Sequence, residues 1–84
     1  MNVSYDRLPE HMRDGTRDYI EHGYPPGSFL RAVLENKLVE AFGRADEPNM
    51  LAMYEWANWL YNEAPSEAWG SAKKVAAWIA AVRA

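Results

Sequence analysis

Apolar residues recur at spacings of three and four along most of this 84-residue chain. Alternating β-branched runs closed by hairpin turns are missing, so the pattern predicts an all-α fold. The expected architecture is a compact single-domain bundle of about five short helices over residues 1–84. The first helix should start near Pro9, because proline suits the first helical turn and Glu10 there favours the helix dipole. It should end at Gly23, a natural left-handed cap after His22. Leu8, Met12, Gly15, Tyr19 and His22 fall on one side of it, and Gly15 in that row implies close approach by another element. Tyr24-Pro25-Pro26-Gly27 then makes a rigid turn, since neither proline can donate a backbone hydrogen bond.

Ser28 is the expected cap of a second helix, Phe29 to about Glu35, with Phe29, Leu30, Val33 and Leu34 inward. Prolonging that helix would swing Lys37 onto its apolar side, which places a break at Asn36-Lys37. A third helix carries Leu38, Ala41, Phe42 and Ala45 inward, with Lys37, Glu40 and Arg44 outward. Asp46-Glu47-Pro48 supplies a capping carboxylate with proline just inside, so a fourth helix runs from there to Ala64. Its core stripe is Met50, Met53, Tyr54, Ala57, Leu60, Tyr61 and Ala64, within about a third of the helical wheel. Pro65 ends it. Residues 66–70 form a tight turn, and Ser71 caps a last helix with Ala72, Val75, Trp78, Ile79 and Val82 inward. The first seven residues show no periodicity and are expected to be loose.

Composition narrows the class. Hydrophobic residues make up 49% and charged residues 25% of the chain, the balance of a globular protein rather than a disordered tail. No run approaches the ~18 apolar residues of a membrane span, and the N-terminus lacks the apolar stretch of a signal peptide. Without cysteine, disulfides, thiolate zinc sites and cysteine nucleophiles are excluded. A chain this short removes only about 60–65% of its unfolded surface from water, so its core is small. Four Trp, five Tyr and two Phe offset that, because rings bury much area per residue. Twelve acids against nine bases give a net charge of −3 and no basic footprint for nucleic acid.

Several runs together carry a resemblance: Leu8-Pro9-Glu10-His11-Met12, residues 23–30 (GYPPGSFL), Ala45-Asp46 with Asn49, Leu60-Tyr61-Asn62 with Pro65, and Trp69-Gly70-Ser71. They resemble a group of small uncharacterised proteins of tailed phages and prophages of proteobacteria, and the likeness covers residues 8–79. It implies a context rather than an activity: small phage accessory proteins act on host machinery or host defence, usually by binding, in the cytoplasm of a bacterial host. Lys37 and the Lys73-Lys74 pair depart from the group, which is more acidic there.

Three sets of residues are candidates for chemistry. Glu10, Asp14, Asp18 and Glu21 run along one edge of the first helix, bordered by His11 and His22. Hard cations need oxygens converging on one point, whereas one helix edge supplies them in a row. The two histidines would lie roughly 16 Å apart, too far to share an ion. Arg13 and Arg17 can pair with these acids at helical spacing, so the edge reads as a solvated charged face, with no metal and no cofactor. The second set is the two Gly-Ser helix starts, Gly27-Ser28 and Gly70-Ser71, whose backbone N–H groups could hold an anion. Lys73 and Lys74 sit in a first turn, where the dipole disfavours cations, and a bound phosphate would remove that conflict. Tyr24, Arg31, Lys73 and Lys74 would complete such a site. Neither GxxxxGK[ST] nor GxGxxG occurs.

The third set lies on the fourth helix. Trp59 points nearly opposite the core stripe, with Trp56 beside it and Ala52, Glu55 and Glu63 around them. Either four other helices wrap this one on nearly all sides, or the rings anchor a partner, as tryptophans do at hot spots. Trp69, facing Ser71, plugs the core. Ser4, Ser28, Ser66 and Ser71 read as loop and cap residues, so no catalytic arrangement is expected and the chain is not expected to be an enzyme.

The leading expectation is an interaction protein of phage type. It would bind and inhibit, or redirect, a host protein (an antiviral defence protein among them) or self-associate as a homodimer, through Ala52, Glu55, Trp56, Trp59 and Glu63. The alternative is a binder that sequesters a nucleotide signal at the Gly-Ser helix starts. A DNA-associated role comes third, because no helix is basic enough to be a recognition helix. An acidic DNA mimic fares worse, since Arg13, Arg17, Arg31 and Arg44 interrupt the acids.

Overall fold

Pro9 stands immediately before the first helical residue, and Gly23 closes that helix in the left-handed region at φ 69°. Its N–H donates to the Tyr19 carbonyl and that of Tyr24 to the Asp18 carbonyl, so α1 spans Glu10–His22, as its punctuation predicts. These features belong to a computed structural model, which describes residues 3–84.

α2 (Ser28–Leu34) begins one residue earlier than expected: Gly27 is the cap, and the Ser28 side chain makes no capping bond. The break at Asn36-Lys37 is present, with Asn36 left-handed at φ 64°. α3 follows at Leu38–Arg44. The Asp46 carboxylate then accepts the Asn49 backbone N–H at 3.0 Å and starts a helix, with Pro48 in its first turn. That helix is two rather than one. α4 (Glu47–Leu51) and α5 (Met53–Asn62) meet at Ala52, whose ψ of 14° departs from helical geometry. A short 3₁₀ turn, Ser66–Ala68, precedes α6 (Ala72–Arg83), which Ser71 caps by accepting the Lys74 N–H at 3.1 Å. Among the described residues there are six α-helices and no strand, and no helix is long and apolar enough to cross a membrane.

The inward face of α1 is turned from the expected row. Thr16, Tyr19 and Ile20 are buried, Met12 is half-buried, and Gly15 and His22 are exposed. A buried threonine is tolerable because its hydroxyl donates to the Met12 carbonyl at 2.7 Å, inside its own helix. Gly15 marks no close approach, since a Cβ there would meet nothing within 4 Å. The close approach is at Gly23, where a Cβ would stand 2.7 Å from Arg83 Cγ and 3.2 Å from the Ile79 carbonyl oxygen of α6.

Around that contact the core is tied by polar cross-links. The Tyr19 hydroxyl donates to the Ala68 carbonyl at 2.7 Å. Burial raises this phenol above its ordinary range. The Gly70 N–H donates to the Leu34 carbonyl at 2.8 Å, and the Trp78 indole to that of Ile20 at 3.2 Å. On α6 only Val75 is fully buried, while Trp78, Ile79 and Val82 are half-buried and Ala72 faces out.

Candidate functional site

Trp56 and Trp59, the proposed anchors of a partner face, are core residues at 1% and 3% exposure. The layer that covers Trp59 is the segment expected to be loose. Tyr5 and Leu8 are buried, and the Tyr5 ring lies 6.0 Å from that of Trp59. Trp59 meets Trp56 edge-on at 6.2 Å, and Trp56 meets Phe29 edge-on at 5.5 Å. Both indoles are satisfied, Trp56 by the Asn49 side-chain oxygen at 3.1 Å and Trp59 by the Ser4 carbonyl at 2.8 Å.

Of the remaining members of that set, the two glutamates meet the N-terminal segment. Ala52 is half-buried, Glu55 lies 3.7 Å from Arg7, and Glu63 accepts the Ser4 N–H at 3.0 Å. Glu55, Trp59 and Glu63 thus form an interface within the chain, between α5 and its own N-terminal segment, while Trp56 packs on Phe29 and Trp59 and Ala52 packs partly against the core. Within residues 3–7, Tyr5 is buried and Val3 half-buried while Ser4, Asp6 and Arg7 stay exposed, and Met1 and Asn2 lie outside the described residues. Missing periodicity concealed this segment, because it packs as extended chain and turn rather than as a helix.

Turning α5 onto its tryptophans leaves the predicted core stripe outside. Tyr54 is 77% and Tyr61 84% exposed, and Met50 is exposed too. Leu60 stays buried, and Met53 and Ala64 pack partly against the core. α3 behaves alike: Leu38 and Phe42 are exposed, and only Ala41 is buried. Two apolar faces of α5 compete for one small core. The tryptophan face prevails because it removes more ring area from water and finds an acceptor for each indole N–H.

Between α3 and α5 the two displaced faces border a groove of about 300 Å³. Buried Ala41, Trp56 and Leu60 form its base, and exposed Leu38, Phe42 and Tyr54 its edges. Lys37 is its one charged lining residue, and its ammonium is held 3.0 Å from Glu35 and 4.0 Å from Glu40.

The residues of the anion-site reading do not converge. Tyr24, Gly27 and Ser28 line an open cleft of about 420 Å³ with His11, Arg44 and Asp46, whereas Arg31, Gly70, Ser71, Lys73 and Lys74 do not line it. Arg44 is engaged by the Ser28 carbonyl at 3.3 Å and by Glu40 at 2.9 Å, and Arg31 lies 3.6 Å from Glu35. At the start of α6, Lys74 turns its ammonium to the Ser66 carbonyl at 3.1 Å. A backbone oxygen thereby answers the unfavourable dipole that had suggested a bound phosphate.

Across the cleft, His11 Nε2 and Asp46 Oδ2 stand 2.9 Å apart. The Asn49 backbone N–H, opposed by some desolvation and assisted by His11, holds the Asp46 carboxyl below its ordinary value. On the acidic edge of α1, Arg17 reaches Asp14 at 3.4 Å. Arg13 instead donates to the Leu8 and Asp6 carbonyls, anchoring the N-terminal segment. No group of three or more acids and histidines among the described residues could hold a metal ion. No family model matches this chain, and neither the curated proteins nor the solved structures give a match.

Proposed function

We propose that the chain is a non-catalytic interaction protein that engages another protein through the apolar face of α3 and α5. The observation that carries this reading is the exposure of two helix faces whose periodicity is that of a core. Leu38 and Phe42 on one side and Tyr54 on the other stand in water around a groove of apolar base, and Tyr61, two turns beyond Tyr54 on α5, is exposed as well. Single exposed apolar residues are ordinary, but a contiguous set marks a place where something docks. The resemblance over residues 8–79 favours a phage-type accessory role in a bacterial cytoplasm. The partner would then be a host protein, of antiviral defence or other machinery, that is inhibited or redirected.

Affinity capture from host cells tests this reading, with wild type compared against Phe42→Glu and Tyr54→Glu. A partner retained by wild type and lost by both folded variants supports it. Equal capture by all three would remove the α3–α5 face from the account.

A further inference from the structure

We infer that residues 3–7 are the built-in occupant of a peptide-binding seat formed by α1 and α5, and that an extended peptide carrying a tyrosine takes the seat when this segment lifts away. The seat uses the Trp59 side of α5 and shares no residue with the α3–α5 groove, so it stands apart from the docking role proposed above. The manner in which the segment is held is the first argument. Ser4 gives its N–H to Glu63 at 3.0 Å and accepts the Trp59 indole N–H on its carbonyl at 2.8 Å. The Asp6 carbonyl accepts from Arg13 at 2.8 Å. These bonds engage main chain, which any extended segment offers, and they leave selection to the side chains, as in grooves that capture linear peptides. One side chain supplies that selection. The Tyr5 ring is 4% exposed, lies 6.0 Å from the Trp59 ring and is covered by the Arg17 guanidinium at 4.9 Å. Its hydroxyl donates to the Glu21 carboxylate at 3.2 Å, so the ring pocket ends in an acceptor that phenylalanine would leave unmet.

Separability is the second argument. Pro9 stands between the segment and α1. It has no N–H to give and disfavours helix at Leu8, so residues 3–7 can move without unwinding α1. Packing is open on both sides of the segment. A recess of about 230 Å³ lies among Ser4, Arg7, Trp59 and Glu63, and another of about 340 Å³ among Val3, Tyr5, Asp6 and Arg17. Ser4, Asp6 and Arg7 are exposed, and the Arg7–Glu55 pair at 3.7 Å faces water, where such pairs contribute little. The hold therefore rests mainly on one ring, and a free peptide with the same ring and main chain can replace each bond. Tethering gives the chain's own segment the advantage of a high effective concentration, which keeps the seat closed until a competitor is abundant or the segment is weakened.

A labelled peptide with the sequence of residues 3–9, titrated against the full-length chain with fluorescence anisotropy as the readout, tests this. Arg7→Glu sets two acids together at Glu55 and loosens the segment without altering the ring pocket, and Tyr5→Ala empties that pocket. Both variants should bind the peptide at least tenfold more tightly than wild type, and a peptide with alanine in place of its tyrosine should lose binding to both. Should Tyr5→Ala lose its helical spectrum, Arg7→Glu decides alone. Binding by Arg7→Glu no tighter than by wild type overturns the inference, as does equal binding of the alanine peptide. Tyr54→Glu should bind the peptide as wild type does, which keeps this seat and the α3–α5 groove separately testable.

Discussion

The Trp59 indole N–H donates to the Ser4 carbonyl oxygen at 2.8 Å, joining positions 55 residues apart. Through this bond and the Tyr5 ring, the N-terminal segment becomes the outer wall of the core. Trp59→Ala should therefore cost about 3–5 kcal/mol in urea unfolding, as large aromatic truncations in cores do. Trp59→Phe keeps a ring and loses mainly the bond, for about 0.5–1.5 kcal/mol. Near-neutral behaviour of the alanine variant would place Trp59 outside the core.

Tyr54 and Leu60 separate the two faces of α5. Leu60, at 9% exposure, should cost about 2–5 kcal/mol on substitution by alanine. Tyr54→Ala, at an exposed position, should stay within about 0.5 kcal/mol of wild type. Equal losses at both positions would return Tyr54 to the core.

Two glycines should respond with opposite signs. Gly15 lies mid-helix with open space around it, so Gly15→Ala should raise stability by about 0.5–1 kcal/mol. Gly23→Ala meets a positive φ and crowding from α6 together, and should lower the thermal midpoint. Two changes of like sign would contradict the placement of one of them.

Stability should fall at both pH extremes, for opposite reasons. The folded state depresses the Asp46 pKa, so its contribution is present above the ordinary carboxylate value and lost as pH falls through the lower folded one. Burial raises the Tyr5 and Tyr19 phenols, so theirs is present below the ordinary value of ~10 and lost as pH rises towards the raised one. Urea midpoints measured across pH should show both declines. Asp46→Asn should flatten the acid side alone, and an unchanged acid slope would refute the part assigned to this cap.

Tyr19→Phe should be costly for a change of one atom. It strips the Ala68 carbonyl, in a buried setting, of its 2.7 Å donor, and about 1–3 kcal/mol should be lost in urea unfolding. A cost below that range would mean that water reaches the carbonyl.

What the sequence by itself determined is local. Gly23, Asn36, Asp46 and Ser71 act on backbone groups within a few residues, so helix ends could be read from residue type and spacing. The 3.6-residue period likewise established that α3 and α5 carry apolar faces. Periodicity measures whether a face is apolar and says nothing of what lies against it. Only the tertiary structure decided that Trp56 and Trp59 turn inward while Tyr54, Tyr61, Leu38 and Phe42 stay in water. The deciding partner was an N-terminal segment without periodicity, whose Ser4 carbonyl and Tyr5 ring meet α5 only once the chain has folded back across more than fifty residues.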